Sequence, residues 1–193
     1  MHIPLVLCNI ISNYIDFKSK HKLKLACKSL NTICIKDLYN IDDKYVQKFD
    51  MKILSRYSKM TSLNLSYNTN IFDLNSFTKL KRLCAKGDVY CNISLLNLEY
   101  LDVTNNRNII DVNHMTDLKD LVAGGDSGLD NKGIRNLDLI YLNVKGNIKV
   151  DYVKNMKNLK IYVPCGDILI KMFANNYNIL RVESGMSGLA YSN

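Results

Sequence analysis

One pattern of apolar residues recurs through residues 60–193 and constrains the fold more than any other feature of this sequence. The pattern L-x-x-L-x-L-x-x-N occurs in seven copies, spaced 18 to 21 residues apart. The copies begin at Met60, Leu80, Leu98, Leu118, Leu139, Leu159 and Tyr177. We number the positions within a copy from this first residue, which is position 0.

The spacing of the apolar residues predicts strands. Apolar residues at positions 3 and 5, such as Leu101 and Val103, alternate as along a strand, whereas an amphipathic helix needs them at 3, 4, 7 and 8. One copy cannot bury its apolar face alone, so neighbouring copies stack over a continuous core. We therefore predict an α/β fold, a short solenoid of roughly 20-residue repeats with a parallel sheet.

Position 8 holds Asn or Asp in six of the seven copies. These side chains bond readily to backbone groups that a turn leaves unpaired, so we predict a buried structural ladder and no metal site. Its members are Asn68, Asp88, Asn106, Asp126, Asn147 and Asp167. The glycines at position 7 suit unusual backbone dihedral angles. They are Gly87, Gly125, Gly146 and Gly166.

The pattern resembles leucine-rich repeats of a short type, from which Pro164 and Gly185 depart. The resemblance implies that a substrate protein lies on the concave strand face, where residues at positions 2, 4 and 6 point. Aromatic and arginine side chains dominate interface energetics, which favours Arg82, Tyr100 and Tyr141 as anchors. The complete set of substrate-binding candidates is Arg82, Lys86, Tyr100, Asp102, Asp120, Tyr141, Asn143 and Lys145.

The residues before the repeats have apolar positions at helical spacing. They divide into a helical module at residues 1–40 and a connecting and capping helix at residues 41–59, followed by the repeats at 60–193. In the capping segment, Asp42 is positioned as the N-cap of one helix that extends to Tyr57.

The N-terminal module resembles an F-box. Ile3-Pro4 opens it, an isoleucine-rich run ends at Tyr14-Ile15, and Cys27-Lys28 follows. The module departs from the F-box pattern at two places: Val6 occupies a position that is often Glu in that family, and Leu30 occupies one that is often aromatic. The resemblance implies docking on the Skp-type adaptor of a cullin-based ubiquitin ligase. The adaptor-binding residues carried over are Ile3, Pro4, Ile10, Ile11, Tyr14, Leu23, Leu25, Cys27 and Lys28.

The F-box module, together with Asn-rich repeats (24 Asn in the chain), is similar to F-box/leucine-rich-repeat proteins of giant DNA viruses that infect amoebae. That resemblance implies a substrate-recognition adaptor in the host cytoplasm. Two alternatives stay open: a recognition scaffold without a ubiquitin link, whose N-terminal helices only cap the solenoid, and nucleic-acid binding through basic N-terminal helices. The sequence leaves the oligomeric state undetermined.

Charge and residue types restrict the function classes. Most of the net charge of +8 lies in residues 1–59, which contain 11 Lys and Arg but only 5 Asp and Glu. No aromatic and basic motif accompanies these lysines, so we expect no nucleic-acid partner. The six cysteines form no CxxC pair, which favours free thiols in a reducing compartment without a metal. No apolar run reaches membrane-spanning length. No motif pairs a nucleophile with a base, so we expect neither an enzyme nor a cofactor.

Overall fold

Short parallel strands follow one another in chain order through the described part of the molecule. The computed structural model describes residues 36–41, 43–151 and 156–163, and the chain divides into two units, Met1–Leu98 and Glu99–Asn193. The strands of the first unit are β1 (Asp37–Leu38), β2 (Ser62–Asn64) and β3 (Arg82–Cys84). Those of the second unit are β4 (Tyr100–Asp102), β5 (Asp120–Val122), β6 (Tyr141–Asn143) and β7 (Ile161–Val163).

The leucines at position 3 set the register within each unit. Leu63 pairs with Leu83 between β2 and β3, and Leu101, Leu121 and Leu142 are successive partners across β4, β5 and β6. All five are fully buried. Hydrogen bonding between neighbouring coils extends one residue beyond the strands. The amide of Val103, which follows β4, donates to the carbonyl of Val122 in β5 at 2.8 Å. The predicted repeat solenoid with a parallel sheet is therefore present in each unit.

The return side of the described coils that follow β2 to β6 consists of successive tight turns. In the coil that follows β4, the amide of Met115 donates to the carbonyl of Val112 at 3.0 Å, and that of Leu118 to the carbonyl of Met115 at 3.1 Å. All three side chains are buried. Asx turns favour this conformation over a helix; the amide of Asn113 donates to Oδ1 of Asp111 at 2.8 Å. The prediction of an α/β fold is therefore only partly confirmed, because the helices among the described residues all lie in the 43–57 segment.

The predicted capping helix is divided into three short pieces. They are α1 (Asp43–Val46), α2 (Met51–Leu54) and a 3-10 helix (Ser55–Tyr57). Asp50 causes the division, because its backbone is extended (φ −128°, ψ 173°) and its carboxylate accepts from the amide of Ile53 at 2.7 Å. An N-cap of this kind starts a new helix. Asp42, the expected N-cap, lies outside the described residues.

The first unit contains a strand that the repeat register did not predict. Asp37 pairs with Ser62 and Leu38 with Leu63 in parallel register, and Leu38 is fully buried. Residues 39–61 therefore form a coil that is longer than the repeats and contains both short helices. This coil also bonds to the first repeat, since Nδ2 of Asn68 donates to the carbonyl of Val46 at 2.6 Å.

The five strands from β2 to β6 each lead into a left-handed backbone conformation at position 7. The residues are Tyr67 (φ 59°), Gly87 (72°), Asn105 (57°), Gly125 (59°) and Gly146 (82°). Glycine adopts this conformation without steric cost and asparagine tolerates it. The unusual dihedral angles predicted at Gly87, Gly125 and Gly146 are confirmed, and the same geometry extends to two residues that carry side chains.

Asparagine at position 8 is buried and bonds to two coils. The buried members are Asn68, Asn106 and Asn147. Nδ2 of Asn147 donates to the carbonyl oxygens of Ala123 and Leu129 in the preceding coil, each at 3.0 Å, and Oδ1 accepts from the amide of Lys149 at 3.1 Å. The amide group satisfies carbonyls that would otherwise be buried without partners, which is an unfavourable state.

Asp88 and Asp126 at position 8 are exposed, so the prediction that these two residues belong to a buried ladder is wrong. The following residues, Val89 and Ser127, are buried in their place. The amide of Asn147 donates to carbonyl oxygens of the preceding coil, whereas an ionised carboxylate can only accept and would meet those oxygens without a hydrogen bond. Asp126 instead forms an ion pair at 2.6 Å with Arg107 on the surface.

Close contact between coils predicts that Gly128→Ala destabilises the second unit. A Cβ at Gly128 would lie 2.5 Å from the carbonyl oxygen of Arg107 and 2.9 Å from that of Ile109. Both are backbone atoms, which cannot rotate away, so we expect a loss of about 1–3 kcal/mol of unfolding free energy. Urea denaturation measures this loss. The control Lys132→Ala, at an exposed position, is expected within about 0.5 kcal/mol of wild type; equal effects would contradict the close contact.

Several predictions concern residues outside the described ranges. They are the nine F-box residues from Ile3 to Lys28, and Pro164, Gly166, Asp167 and Gly185. Among the residues that are described, none belongs to a helix with the length and apolar character needed to cross a membrane.

Candidate protein-binding face

The outward residues of the second unit form two rows across its strands. Position 2 contributes one row and position 4 the other, because alternate residues of a strand share a face and parallel partners lie side by side. We call these residues the second-unit face: Tyr100, Asp120 and Tyr141 at position 2, and Asp102, Val122 and Asn143 at position 4. The leucines between them at position 3 anchor the strands in the core.

The position-2 row places one carboxylate between two tyrosines. Tyr100 pairs with Asp120 and Asp120 with Tyr141, and all three are partly exposed. Neighbouring strands lie about 4.8 Å apart, so the two tyrosine backbones flank Asp120 at about that distance on each side. Nδ2 of Asn143 donates to the hydroxyl of Tyr141 at 3.3 Å, which links the two rows.

Position 4 closes a turn at the end of several strands. Oδ1 of Asp102 accepts from the amide of Thr104 at 3.1 Å and from its hydroxyl at 2.7 Å. Oδ1 of Asn143 accepts from the amide of Lys145 at 3.0 Å. Asp102 is only 4% exposed, so its predicted role as a substrate contact is corrected: this carboxylate is used within its own coil. Asn143 stays partly exposed and Lys145 is exposed.

The first unit has a different outward surface. Ser62 and Cys84 are buried, and the hydroxyl of Ser66 lies 3.1 Å from Sγ of Cys84. Arg82 is exposed, with its guanidinium 4.7 Å from the centre of the Tyr39 ring, a cation–π distance. Lys86, also a candidate, is partly exposed.

Tyr39 was missed by the sequence reasoning. It follows β1 directly, but the repeat register begins at Met60 and assigns Tyr39 to the helical module. Leu38, an apolar residue preceded by the charged Lys36 and Asp37, was a weak signal of a strand there.

Other reactive groups in the described residues do not form a site. Nowhere in 36–41, 43–151 and 156–163 do three or more His, Cys, Asp or Glu residues cluster closely enough to hold a metal ion. Burial, reinforced by the nearby Asp73 carboxylate, raises the pKa of the Cys91 thiol to about 12. A thiol with this pKa stays protonated at neutral pH and is a poor nucleophile, so Cys91 acts as a core residue.

The comparisons with known proteins leave the function to be inferred from this geometry. No protein-family model matches the chain, and no curated protein matches it.

Proposed function

We propose that this chain is a protein-recognition scaffold, that its coils are leucine-rich repeats, and that it binds a protein partner on the outward face of its parallel strands. The row of Tyr100, Asp120 and Tyr141 carries this proposal. Aromatic side chains supply much of the binding energy in protein interfaces. A rigid strand register also lowers the entropy lost when a partner binds. The proposal includes no catalytic step.

We further propose that the N-terminal module connects this scaffold to a ubiquitin ligase. The support is the F-box resemblance of Ile3-Pro4, the isoleucine-rich run and Cys27-Lys28. In this arrangement the module docks on the Skp-type adaptor and the strand face holds the substrate protein. Apolar side chains exposed on a small helical module need a partner to cover them, and an adaptor groove would do so.

Adaptor binding is tested with the full chain and a recombinant Skp-type adaptor. We expect the wild-type chain to retain the adaptor, and Ile10→Asp to weaken retention by about 100-fold or more, because a carboxylate would replace an apolar contact. Tyr141→Leu is the matched control: it alters the strand face and leaves adaptor binding unchanged. If the wild-type chain does not retain the adaptor, the ubiquitin link fails.

A scaffold without a ubiquitin link is the second candidate, and one observation favours it. Asp37 and Leu38 lie in the segment assigned to the helical module, yet they pair with β2 as a strand. A strand at this place would connect the preceding residues directly to the solenoid, and those residues would then form its N-terminal cap. Binding of a partner to the strand face, with no adaptor retained, would identify this alternative.

A further inference from the structure

We propose that the partner segment held on the second-unit face presents one lysine or arginine side chain, which lies over Asp120 between Tyr100 and Tyr141. This inference rests on the proposed function and specifies the chemistry of the partner. It concerns a protein segment, since a phosphate backbone would meet the carboxylates of Asp120 and Asp102.

The geometry of the row fits a single cation. Asp120 is the direct strand partner of both tyrosines, and all three residues are partly exposed on the same face. The backbones of the two tyrosines lie about 4.8 Å from that of Asp120, a spacing that allows one cation above Asp120 to contact both rings within the roughly 6 Å of a cation–π interaction. The carboxylate adds a charge-assisted hydrogen bond, stronger than a neutral one.

The charges on the face have the matching sign. The charged residues at positions 2 and 4 of β4, β5 and β6 are Asp102 and Asp120, both acidic. Asp102 is buried beside the row and bonded to Thr104, so it adds negative potential without offering a contact of its own. Complementary potentials set the specificity and association rate of an interface.

Lysines around the row limit the partner to one basic side chain. Lys119 and Lys160 lie at position 1, before β5 and β7, and Lys145 lies at position 6, after β6; all three are exposed. A polybasic segment would meet like charges at both ends of the strands, which is unfavourable. A segment with one basic residue and neutral or acidic neighbours avoids this repulsion.

The test is selection of binding peptides from a random-peptide display library on the immobilised full chain. We expect the selected peptides to share one Lys or Arg at a fixed position. Asp120→Asn and Tyr141→Leu should each weaken their binding by about tenfold or more. Lys132→Ala, exposed on a return turn, is the control and should leave binding unchanged. Thermal unfolding of each variant checks that the fold is retained.

A charge exchange separates direct contact from an indirect effect on the fold. Asp120→Lys should abolish binding of a selected peptide, and replacing the basic residue of that peptide with glutamate should restore binding to the variant. A residue that only supports the fold would not produce this reciprocal rescue.

The outcomes distinguish this inference from the proposed function. Peptides that lack a basic residue, or whose binding depends on Tyr141 and is unaffected by Asp120→Asn, would overturn the inference and leave strand-face recognition intact. Selection that yields no peptide, or only peptides that bind every face variant as wild type, would overturn both.

Discussion

The variant Asn147→Asp is expected to lose about 3–5 kcal/mol of unfolding free energy at neutral pH. In the native chain, Nδ2 of Asn147 donates to the carbonyl oxygens of Ala123 and Leu129, and the side chain is almost fully buried. An aspartate there would lose both donated bonds and leave an ionised carboxylate against two carbonyl oxygens. Urea denaturation of the full chain measures the loss.

The same variant is expected to be least destabilised in acid. Burial and the neighbouring carbonyl oxygens would raise the folded-state pKa of the new carboxyl above its unfolded value of about 3.9. The unfolded state then releases its proton at a lower pH than the folded state, so stability is greatest below the unfolded pKa and falls as pH rises through the folded pKa. Unfolding at pH 5 and pH 7 should show the smaller loss at pH 5.

Asp126→Asn is the matched control for this prediction. It occupies the same repeat position, but its side chain is 72% exposed and forms a surface ion pair with Arg107. Removing that charge should change stability by no more than about 1 kcal/mol. Equal losses for the two variants would mean that position 8 does not distinguish a buried amide from an outward carboxylate.

The variant Leu121→Ala is expected to lose about 2–5 kcal/mol, because it leaves a cavity in the core of the second unit. Leu121 is fully buried and lies between its strand partners Leu101 and Leu142. The apolar row continues on both sides, so the neighbouring coils have little freedom to close the cavity. A lower urea midpoint with an unchanged denaturant slope would report this loss.

Ile148→Ala is the control for the core variant. Ile148 belongs to the same unit and has a similar apolar volume, but it is 76% exposed. Truncation at the surface should cost no more than about 0.5 kcal/mol. If Ile148→Ala were as costly as Leu121→Ala, the inward leucine row would not be the main source of stability in these coils.

The placement of the candidate face was largely predictable from the repeat. Once the leucines at position 3 are assigned inward, alternation places Tyr100, Asp120 and Tyr141 on the opposite face. Their exposure was not predictable in the same way. Asp102 was expected to contact a partner, but it accepts from Thr104 and is buried, because a carboxylate two residues before an amide closes an Asx turn.

The N-terminal strand illustrates a different limit of the sequence. The repeat pattern depends on several apolar positions at a fixed period, and Asp37–Leu38 supplies only one of them. Its pairing with β2 depends on a partner strand 25 residues further along the chain, as Leu38 and Leu63 are register partners. Local spacing therefore favoured helices around this segment and did not indicate the strand.

The sequence by itself determined the period of the coil, the inward leucines and the parallel order of the strands, because these follow from the alternation of apolar residues and from the burial that stacking requires. Only the tertiary structure decided which polar residues enter the interior. Asn147 and Asp126 occupy equivalent places in the sequence pattern, but the carbonyl oxygens of the preceding coil accept hydrogen bonds from an amide and not from a carboxylate. That choice depends on atoms about 20 residues away along the chain, which the spacing of residues does not specify.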